Sequence, residues 1–178
     1  MMADWLDRTD LKILQILQHE GRTTNVELAN QVALSPTPCL RRVKRLEEAG
    51  LIRGYRAELD RRKIGLGVTA FVHVNVSEHT PAATEAFLTA AQSIEQIISC
   101  HVLAGTFDFL LEVVTSNLDE YSNVMLGKLG SLPGVKAIQS TFSLGSMVNK
   151  PVLPVASAFQ LAAERSAPPD LANRKRST

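Results

Sequence analysis

One segment, residues 35–46, restricts the fold more than any other, because its apolar and cationic side chains separate onto two faces only in a helix. Ser35 is a suitable N-cap, Pro36 suits the first helical position, and Gly50 predicts the end of the helix. The predicted buried stripe consists of Cys39, Leu40, Val43 and Leu46. The opposite face carries Thr37, Arg41, Lys44 and Arg45. A short helix with a basic face fits the DNA major groove, although such a face alone is more often solvated surface.

Two amphipathic segments precede this helix. The first covers residues 9–19 and ends at Gly21, with an apolar stripe of Leu11, Ile13, Leu14 and Leu17. Thr24 and Glu27 form a capping box at the start of a second helix over residues 25–32. The second helix is expected to bury Leu28, Ala29 and Val32. Because only Ala33 and Leu34 separate it from Ser35, the pattern predicts a helix-turn-helix.

Residues 51–59 have an extended pattern, which predicts a wing after the last helix. Residues 1–65 hold 12 Lys and Arg against 9 Asp and Glu, whereas residues 66–150 hold 3 against 7. The positive charge of the first part favours double-stranded DNA as its partner. We expect the DNA contacts to come from Ser35, Thr37, Pro38, Arg41, Arg42, Lys44, Arg45, Arg53 and Arg56.

The periodicity changes from helical to alternating after residue 66. Val68, Ala70, Val72, Val74 and Val76 share one face of a predicted strand, and Thr69, Phe71, His73 and Asn75 share the other. Further strands are predicted over residues 97–104, 107–115 and 135–144. Helices are predicted over 81–93, with Ala86, Phe87 and Ala90 inward, and over 118–129, with Tyr121, Met125 and Leu129 inward. The order βαββαβ predicts an α+β chain: a winged helix-turn-helix followed by a ferredoxin-like sandwich.

These patterns divide the chain into four parts. Residues 1–60 form the DNA-binding domain, 61–66 a linker, 67–150 the sandwich, and 151–178 a largely mobile tail with a helical turn or two over 157–164. Two helices cover only one face of a four-stranded sheet. Phe71 lies on the uncovered face, which predicts a homodimer formed through that face.

Several classes of protein and site are disfavoured. Residues 1–5 lack a signal-peptide layout, and no apolar run reaches the roughly 20 residues that span a bilayer. The two cysteines, Cys39 and Cys100, lie in different predicted domains, so we expect no disulfide and a cytoplasmic protein. The four histidines, His19, His73, His79 and His101, complete no metal site. We find no phosphate loop and no nucleophile with a base, so neither an enzyme nor a cofactor is expected.

Each half of the chain contains its own short sequence motifs. In the first half they are Leu6-Asp7-x-x-Asp10, Leu34-Ser35-Pro36, Arg42-Val43-x-x-Leu46-Glu47-x-x-Gly50-x-Ile52 and Gly54-Tyr55. In the second half they are Gly105-Thr106-Phe107-Asp108-Phe109-Leu110-Leu111 and Leu132-Pro133-Gly134-Val135. Over residues 4–150 the chain resembles the Lrp/AsnC family of feast/famine transcription regulators. Pro38-Cys39-Leu40 resembles the branch of the leucine-responsive regulator. The resemblance implies an amino-acid-sensing sandwich, and dimers that assemble into higher rings, commonly octamers, with effector sites at dimer–dimer contacts.

The candidate effector site is the segment Leu103, Ala104, Gly105, Thr106, Phe107 and Asp108. Backbone amides near Gly105 and Thr106 suit the carboxylate of a free amino acid, and Asp108 suits its ammonium. Taken alone, the segment is better explained as a hairpin turn with an aspartate at its edge. The resemblance favours the effector site, and it also implies that Phe142, Ser143 and Leu144 line the pocket. The branch resemblance makes leucine the first candidate effector, ahead of other aliphatic amino acids and proline.

Two functions from different classes fit these observations. The first is a sequence-specific DNA-binding transcription regulator whose assembly or DNA binding responds to an amino acid. The second is a small-molecule-binding enzyme or regulatory subunit whose N-terminal helices contact other proteins. The outward cations of residues 35–46 favour the first, because a helix that contacts proteins is more often apolar there.

Overall fold

The computed structural model describes residues 5–147, 152–155 and 157. These residues form two compact units, which divide after Ala57. Residues 152–155 and 157 belong to the first unit. The linker predicted over residues 61–66 instead belongs to the second unit, where Arg61 Nη1 lies 2.7 Å from Glu112 Oε1. Apart from 152–155 and 157, the predicted tail lies outside the described residues.

The first unit contains three helices, α1 (Arg8–His19), α2 (Asn25–Gln31) and α3 (Pro36–Glu48), which confirms the predicted helix-turn-helix. Capping boxes begin α1 and α2. At α1, the Asp7 carboxylate accepts the Asp10 amide and the Asp10 carboxylate accepts the Asp7 amide. At α2, the side chains of Thr24 and Glu27 accept each other's backbone amides in the same way, as predicted. Ser35 stands at the N-cap of α3 but its side chain makes no capping hydrogen bond. Pro38 at the third helical position lacks an amide N–H and so removes one of the donors that an N-cap hydroxyl normally accepts.

The core of this unit follows the predicted stripes with one exception. Its buried apolar side chains are Leu6, Ile13, Leu28, Ala29, Val32, Cys39, Val43 and Leu46. Leu40 was expected among them, but it is 44% exposed. Successive helical residues differ by about 100° around the axis, so Leu40 points well away from Cys39. The buried stripe of α3 is therefore narrower than the sequence suggested.

Both helices of the helix-turn-helix, α2 and α3, end with a residue in the left-handed conformation. Ala33 has a φ of 55° in the turn after α2, and the next amide, of Leu34, donates to the Ala29 carbonyl at 2.9 Å. Gly50 has a φ of 71° after α3, and the Leu51 amide donates to the Leu46 carbonyl at 3.0 Å. These are the same type of helix end. Only the second has the glycine that this conformation favours.

The predicted wing forms no strand within the described part of the first unit. Residues 51–59 contain bends followed by irregular backbone. A strand requires a hydrogen-bonded neighbour, and this segment pairs with no strand among the described residues. The segment is held by Tyr55 instead, whose hydroxyl donates to Glu47 Oε1 at 3.0 Å. Burial, and then the nearby Glu47 carboxylate, raise the pKa of Tyr55 to about 12.

The second unit has the predicted order βαββαβ. Its elements are β1 (Val68–Val76), α4 (Pro81–Gln92), β2 (Ile97–Val102), β3 (Phe109–Thr115), α5 (Leu118–Gly127), a 3₁₀ turn (Leu129–Ser131) and β4 (Val135–Phe142). The strands form one antiparallel sheet in the order β2-β3-β1-β4, which confirms the ferredoxin-like sandwich. No helix in the described part of the chain is both long and apolar enough to cross a membrane.

The inner face of β1 is buried as predicted: Ala70, Val72, Val74 and Val76 are at most 8% exposed. Phe87 of α4 stacks on Phe109 of β3, with ring centroids 4.3 Å apart. Ala86 was expected to face inward but is exposed, and Ala91 is buried instead. Ala91 lies four residues after Phe87 and therefore shares its face of the helix.

The left-handed Ala33 gives a stability prediction. A non-glycine residue loses about 1–2 kcal/mol in this conformation, whereas glycine loses about 0.5–1 kcal/mol of backbone entropy on folding. Ala33→Gly should therefore raise the free energy of unfolding of the first unit by roughly 0.5–1 kcal/mol. Urea unfolding followed by fluorescence of Trp5, the single tryptophan, measures this. Gly50→Ala is the matched control and should be destabilising. A less stable Ala33→Gly protein would contradict the prediction.

Candidate functional site

The exposed face of α3 carries Thr37, Arg41 and Lys44. These positions fall within a sector of about 60° on the side of the helix opposite Cys39. Among the described residues, neither Arg41 nor Lys44 has a carboxylate within salt-bridge distance. The face therefore presents two cations and a hydroxyl group to solvent, as the sequence predicted.

Arg42 and Arg45 have a different environment from Arg41 and Lys44. Arg42 Nη1 lies 2.6 Å from Asp7 Oδ2 and 2.9 Å from Asp10 Oδ1. Arg45 Nη2 lies 2.7 Å from Asp10 Oδ2. Arg45 was expected to point outward, and its side chain is 44% exposed, but its guanidinium also pairs with Asp10. Because the Asp10 carboxylate is fully buried, it requires cationic partners, and α3 supplies them.

These ion pairs shift the pKa values of Arg42 and Asp7. The hydrogen bonds that Arg42 donates to the Asp10 and Asp7 carboxylates raise the pKa of its guanidinium, so Arg42 keeps its charge. Burial raises the pKa of Asp7, but the Asp10 amide and the Arg42 guanidinium outweigh it and hold the pKa of that carboxyl below its usual range. The Arg45 guanidinium also lies 4.3 Å from the centre of the Trp5 ring, a cation–π contact.

The remaining predicted DNA contacts lie at the start of α3 and after its end. Ser35 is exposed and Pro38 is half-buried. The Asn25 side-chain amide donates to the Pro36 carbonyl at 2.9 Å and so ties α2 to the first turn of α3. Arg53 and Arg56 are exposed in the irregular segment that follows α3. The structure thus places all of the predicted residues on the first unit, and among their cations it pairs Arg42 and Arg45 with carboxylates.

Residues 103–108 form the turn between β2 and β3, and Asp108 has a structural role there. The Leu103 amide donates to the Asp108 carbonyl at 2.8 Å and closes the turn. Asp108 Oδ2 accepts the Val76 amide at 2.8 Å, and Oδ1 lies 3.7 Å from His79 Nδ1. This use of Asp108 as an acceptor at the end of β1 was not foreseen, because it depends on strand pairing.

The exposed part of this turn is its tip, formed by Ala104, Gly105 and Thr106, whereas Leu103, Phe107 and Asp108 are half-buried. Gly105 was expected to permit a sharp turn, yet it is not among the glycines with positive φ. A side chain could be accommodated there, since no atom of the described part of the chain lies within 4 Å of the position that a Cβ would take at Gly105. Its backbone remains open to an approaching ligand.

The second group of predicted effector residues lies at the opposite end of the sheet. Phe142 pairs with Ala70 of β1, and the Ser143 amide donates to the Thr69 carbonyl at 2.9 Å. The turn at Asp108 instead adjoins Val76. Val76 lies six positions after Ala70 along β1, a distance of about 20 Å. One chain therefore does not bring the two predicted groups together.

The uncovered face of the sheet contains two polar atoms that sequence reasoning missed. His73 Nδ1 and Asn75 Oδ1 are buried but have no hydrogen-bond partner among the described residues. The Phe107 ring covers His73, with ring centroids 4.7 Å apart. Phe71, on the same face, is 37% exposed. The alternation of β1 placed these residues on this face, but only the structure shows that their polar atoms are enclosed.

Comparison with known proteins gives two family matches. Residues 6–53 match the family described as winged helix-turn-helix DNA-binding, and residues 69–153 match the Lrp/AsnC ligand binding domain. A proline dehydrogenase transcriptional activator from Rhizobium radiobacter is 44% identical over 133 residues, which are 75% of this chain and 85% of that protein. The leucine-responsive regulatory protein of Escherichia coli K12 is 43% identical over 130 residues, 73% of this chain and 79% of that protein.

Solved structures agree with these matches. A Neisseria meningitidis transcriptional regulator, crystallised as an L-Met complex, superposes with a TM-score of 0.82 at 41% identity. The superposition covers 86% of this chain and 99% of that chain. An AsnC family transcriptional regulator from Agrobacterium tumefaciens gives a TM-score of 0.80 at 30% identity, over 85% of this chain and 99% of that chain. Both likenesses extend over the two units.

Proposed function

Since the chain belongs to the Lrp/AsnC family of DNA-binding transcription regulators with an amino-acid-binding domain, we propose that the exposed face of α3 contacts DNA and that an aliphatic amino acid modulates this binding. The observation that carries the proposal is the position of Arg41 and Lys44. They are exposed on the second helix of a helix-turn-helix, where a major groove is read. The alternative of an enzyme or regulatory subunit has no comparable support.

The proposed DNA contacts are divided by environment. Arg41 reads a base edge or a phosphate, and Lys44 contacts a phosphate. Ser35 and Thr37 offer hydroxyl groups at the N-terminus of α3, a position that attracts phosphate, and Pro38 packs beside them. Arg53 and Arg56 contact the flanking backbone. Arg42 and Arg45 are left out of this set because their guanidinium groups already bind Asp10.

The proposed effector is a free amino acid, with leucine first and other aliphatic amino acids and proline after it. The names of the relatives support this choice, since one is a leucine-responsive regulatory protein, another is a proline dehydrogenase transcriptional activator, and a third was crystallised as an L-Met complex. Asp108 Oδ1 would bind the ammonium group, and amides near Gly105 and Thr106 would bind the carboxylate. The effector acts by binding two assembly or DNA-binding states with different affinity.

We propose that each effector site combines residues of two chains. The turn at 103–108 of one protomer would meet residues 142–144 of another, because the two groups lie about 20 Å apart within one chain. Leu144 is 97% exposed and is thus available to a neighbour. Such contacts join dimers into a ring, and an octamer is the form the family implies.

The dimer itself is proposed to form through the uncovered face of the sheet. Phe71 supplies apolar area, and a second copy would provide partners for His73 Nδ1 and Asn75 Oδ1. A dimer also presents two copies of α3 to two half-sites about one helical turn apart. The proposed compartment is the cytoplasm, where the DNA and the free amino acid are both present.

The DNA contacts are tested by Arg41→Ala and Lys44→Ala. Arg41→Ala should weaken binding by about 1–3 kcal/mol if it reads a base, and Lys44→Ala should lower the salt slope of the affinity by about 1. Mobility shift with DNA upstream of the protein's own coding sequence measures both. Lys136→Ala, an exposed lysine of β4, is the control and should have no effect. Wild-type affinity in both test variants would refute the assignment.

The effector site is tested by Asp108→Asn, because asparagine retains an oxygen for the Val76 amide but loses the charge that an ammonium group requires. Calorimetry with leucine, methionine, proline and other amino acids should show binding to the wild type and a large loss in this variant. DNA binding without effector should be unchanged. Glu95→Gln is the control, since it removes an exposed carboxylate outside the site. Equal binding by Asp108→Asn would remove Asp108 from the site.

The dimer is tested by Phe71→Asp in the full chain. The wild type should contain no monomer at micromolar concentration in sedimentation equilibrium, whereas the variant should dissociate because two charges would be buried in one interface. Leu126→Asp alters an apolar side chain that is 81% exposed on α5 and should leave the dimer intact. A dimeric Phe71→Asp protein would exclude the sheet face as the dimer interface.

A further inference from the structure

Asp10 is a fully buried carboxylate in the first turn of α1, and its charged partners lie on α3. Arg42 donates to Oδ1 at 2.9 Å, and Arg45 donates to Oδ2 at 2.7 Å. The Asp7 amide donates to the same Oδ2 at 3.1 Å. Both oxygens of the carboxylate are thus used, and two of the three donors are guanidinium groups of the helix expected to enter the DNA groove.

A buried carboxylate of this kind constrains the position of α3. If α3 rotates or moves away from α1, Asp10 loses a cationic partner and becomes an uncompensated buried charge, which is strongly unfavourable. Arg42 and Arg45 lie three residues apart and so leave the same side of the helix. Two charged hydrogen bonds on one side fix both the rotation of α3 about its axis and its distance from α1.

Two further contacts hold the guanidinium groups on the α1 side. Asp7 Oδ2 accepts a second hydrogen bond from Arg42, and the Trp5 ring covers the guanidinium group of Arg45. Arg41 and Lys44 alternate with these residues along the chain but face solvent. The four cations of α3 are therefore two pairs with different surroundings.

We propose that Asp10 is a positioning residue for DNA recognition, and that it acts through Arg42 and Arg45. These two arginines orient α3 instead of binding phosphate, and the orientation presents Arg41 and Lys44 to the groove. The inference rests on the proposed DNA contacts of Arg41 and Lys44. It predicts that Asp10 affects the discrimination between DNA sequences although no part of Asp10 reaches the DNA.

The test measures the affinity of the full chain for two duplexes by fluorescence anisotropy. One duplex is selected in vitro from a random pool by the wild type, and the other is a random duplex of equal length. Asp10→Asn should lower the ratio of the two affinities roughly tenfold, the effect of one lost base contact, with little change on the random duplex. Lys44→Gln should weaken binding to both duplexes and reduce the salt slope of the affinity by about 1.

Each variant is measured at a temperature at which circular dichroism shows it to be folded. A loss of stability alone then does not change the ratio of its affinities for the selected and the random duplex. Arg45→Gln, whose side chain is 44% exposed, should lower the ratio with an unchanged salt slope. Asp10→Asn added to Arg42→Gln/Arg45→Gln should have no further effect. If Asp10→Asn does not fold, Arg45→Gln decides the question.

Two results would overturn the positioning role. One is a folded Asp10→Asn protein with the wild-type ratio, and the other is an Arg45→Gln protein whose salt slope falls as far as that of Lys44→Gln. If instead Arg41→Gln and Lys44→Gln both leave DNA binding unchanged, the proposed recognition face fails. That outcome refutes the proposed DNA contacts, whereas the first two results refute the positioning role alone.

Discussion

The constraint on which the second unit depends is that successive side chains of β1 alternate between the two faces of the sheet. As a central strand it pairs with both β3 and β4, so each of its side chains must face either the two helices or the uncovered side of the sheet. Val72 and Val74 are completely buried beneath the helices. Phe71 and His73 consequently lie on the other side, where a second copy is proposed to bind. A shift of one residue in register would exchange the two sets and remove both the core and the proposed dimer surface.

In the first unit, a polar interaction between α1 and α3 supplements the apolar core. Cys39, Val43 and Leu46 attach α3 through a narrow stripe, and apolar contact is not directional. The hydrogen bonds between Asp10 and two arginines add the direction that the stripe lacks. The fold of this unit and the proposed DNA contacts are therefore coupled. Arg42 and Arg45 of α3 bind Asp10, and their neighbours Arg41 and Lys44 are the residues proposed to contact DNA.

The sequence predicted the elements that depend on local patterns. The capping box at Thr24, the stop at Gly50 and the buried face of β1 follow from residues close together in the chain, and all three were confirmed. The pairing of Arg45 with Asp10 was not predicted, because a helical pattern shows which side chains share a face but not what lies opposite them. The separation of Asp108 from Phe142 was missed for a related reason. It depends on the register between strands, which no pattern within one strand reveals.

The two ends of β1 also bear on how such a regulator would measure its effector. If each site is assembled from Asp108 of one protomer and Leu144 of another, a single chain holds two half-sites and no complete one. Effector binding and assembly are then linked by mass action, so the apparent affinity for the amino acid rises with the concentration of the protein. The nutrient level at which the response occurs would thus depend on the number of copies of the regulator in the cell, in addition to the chemistry of the site.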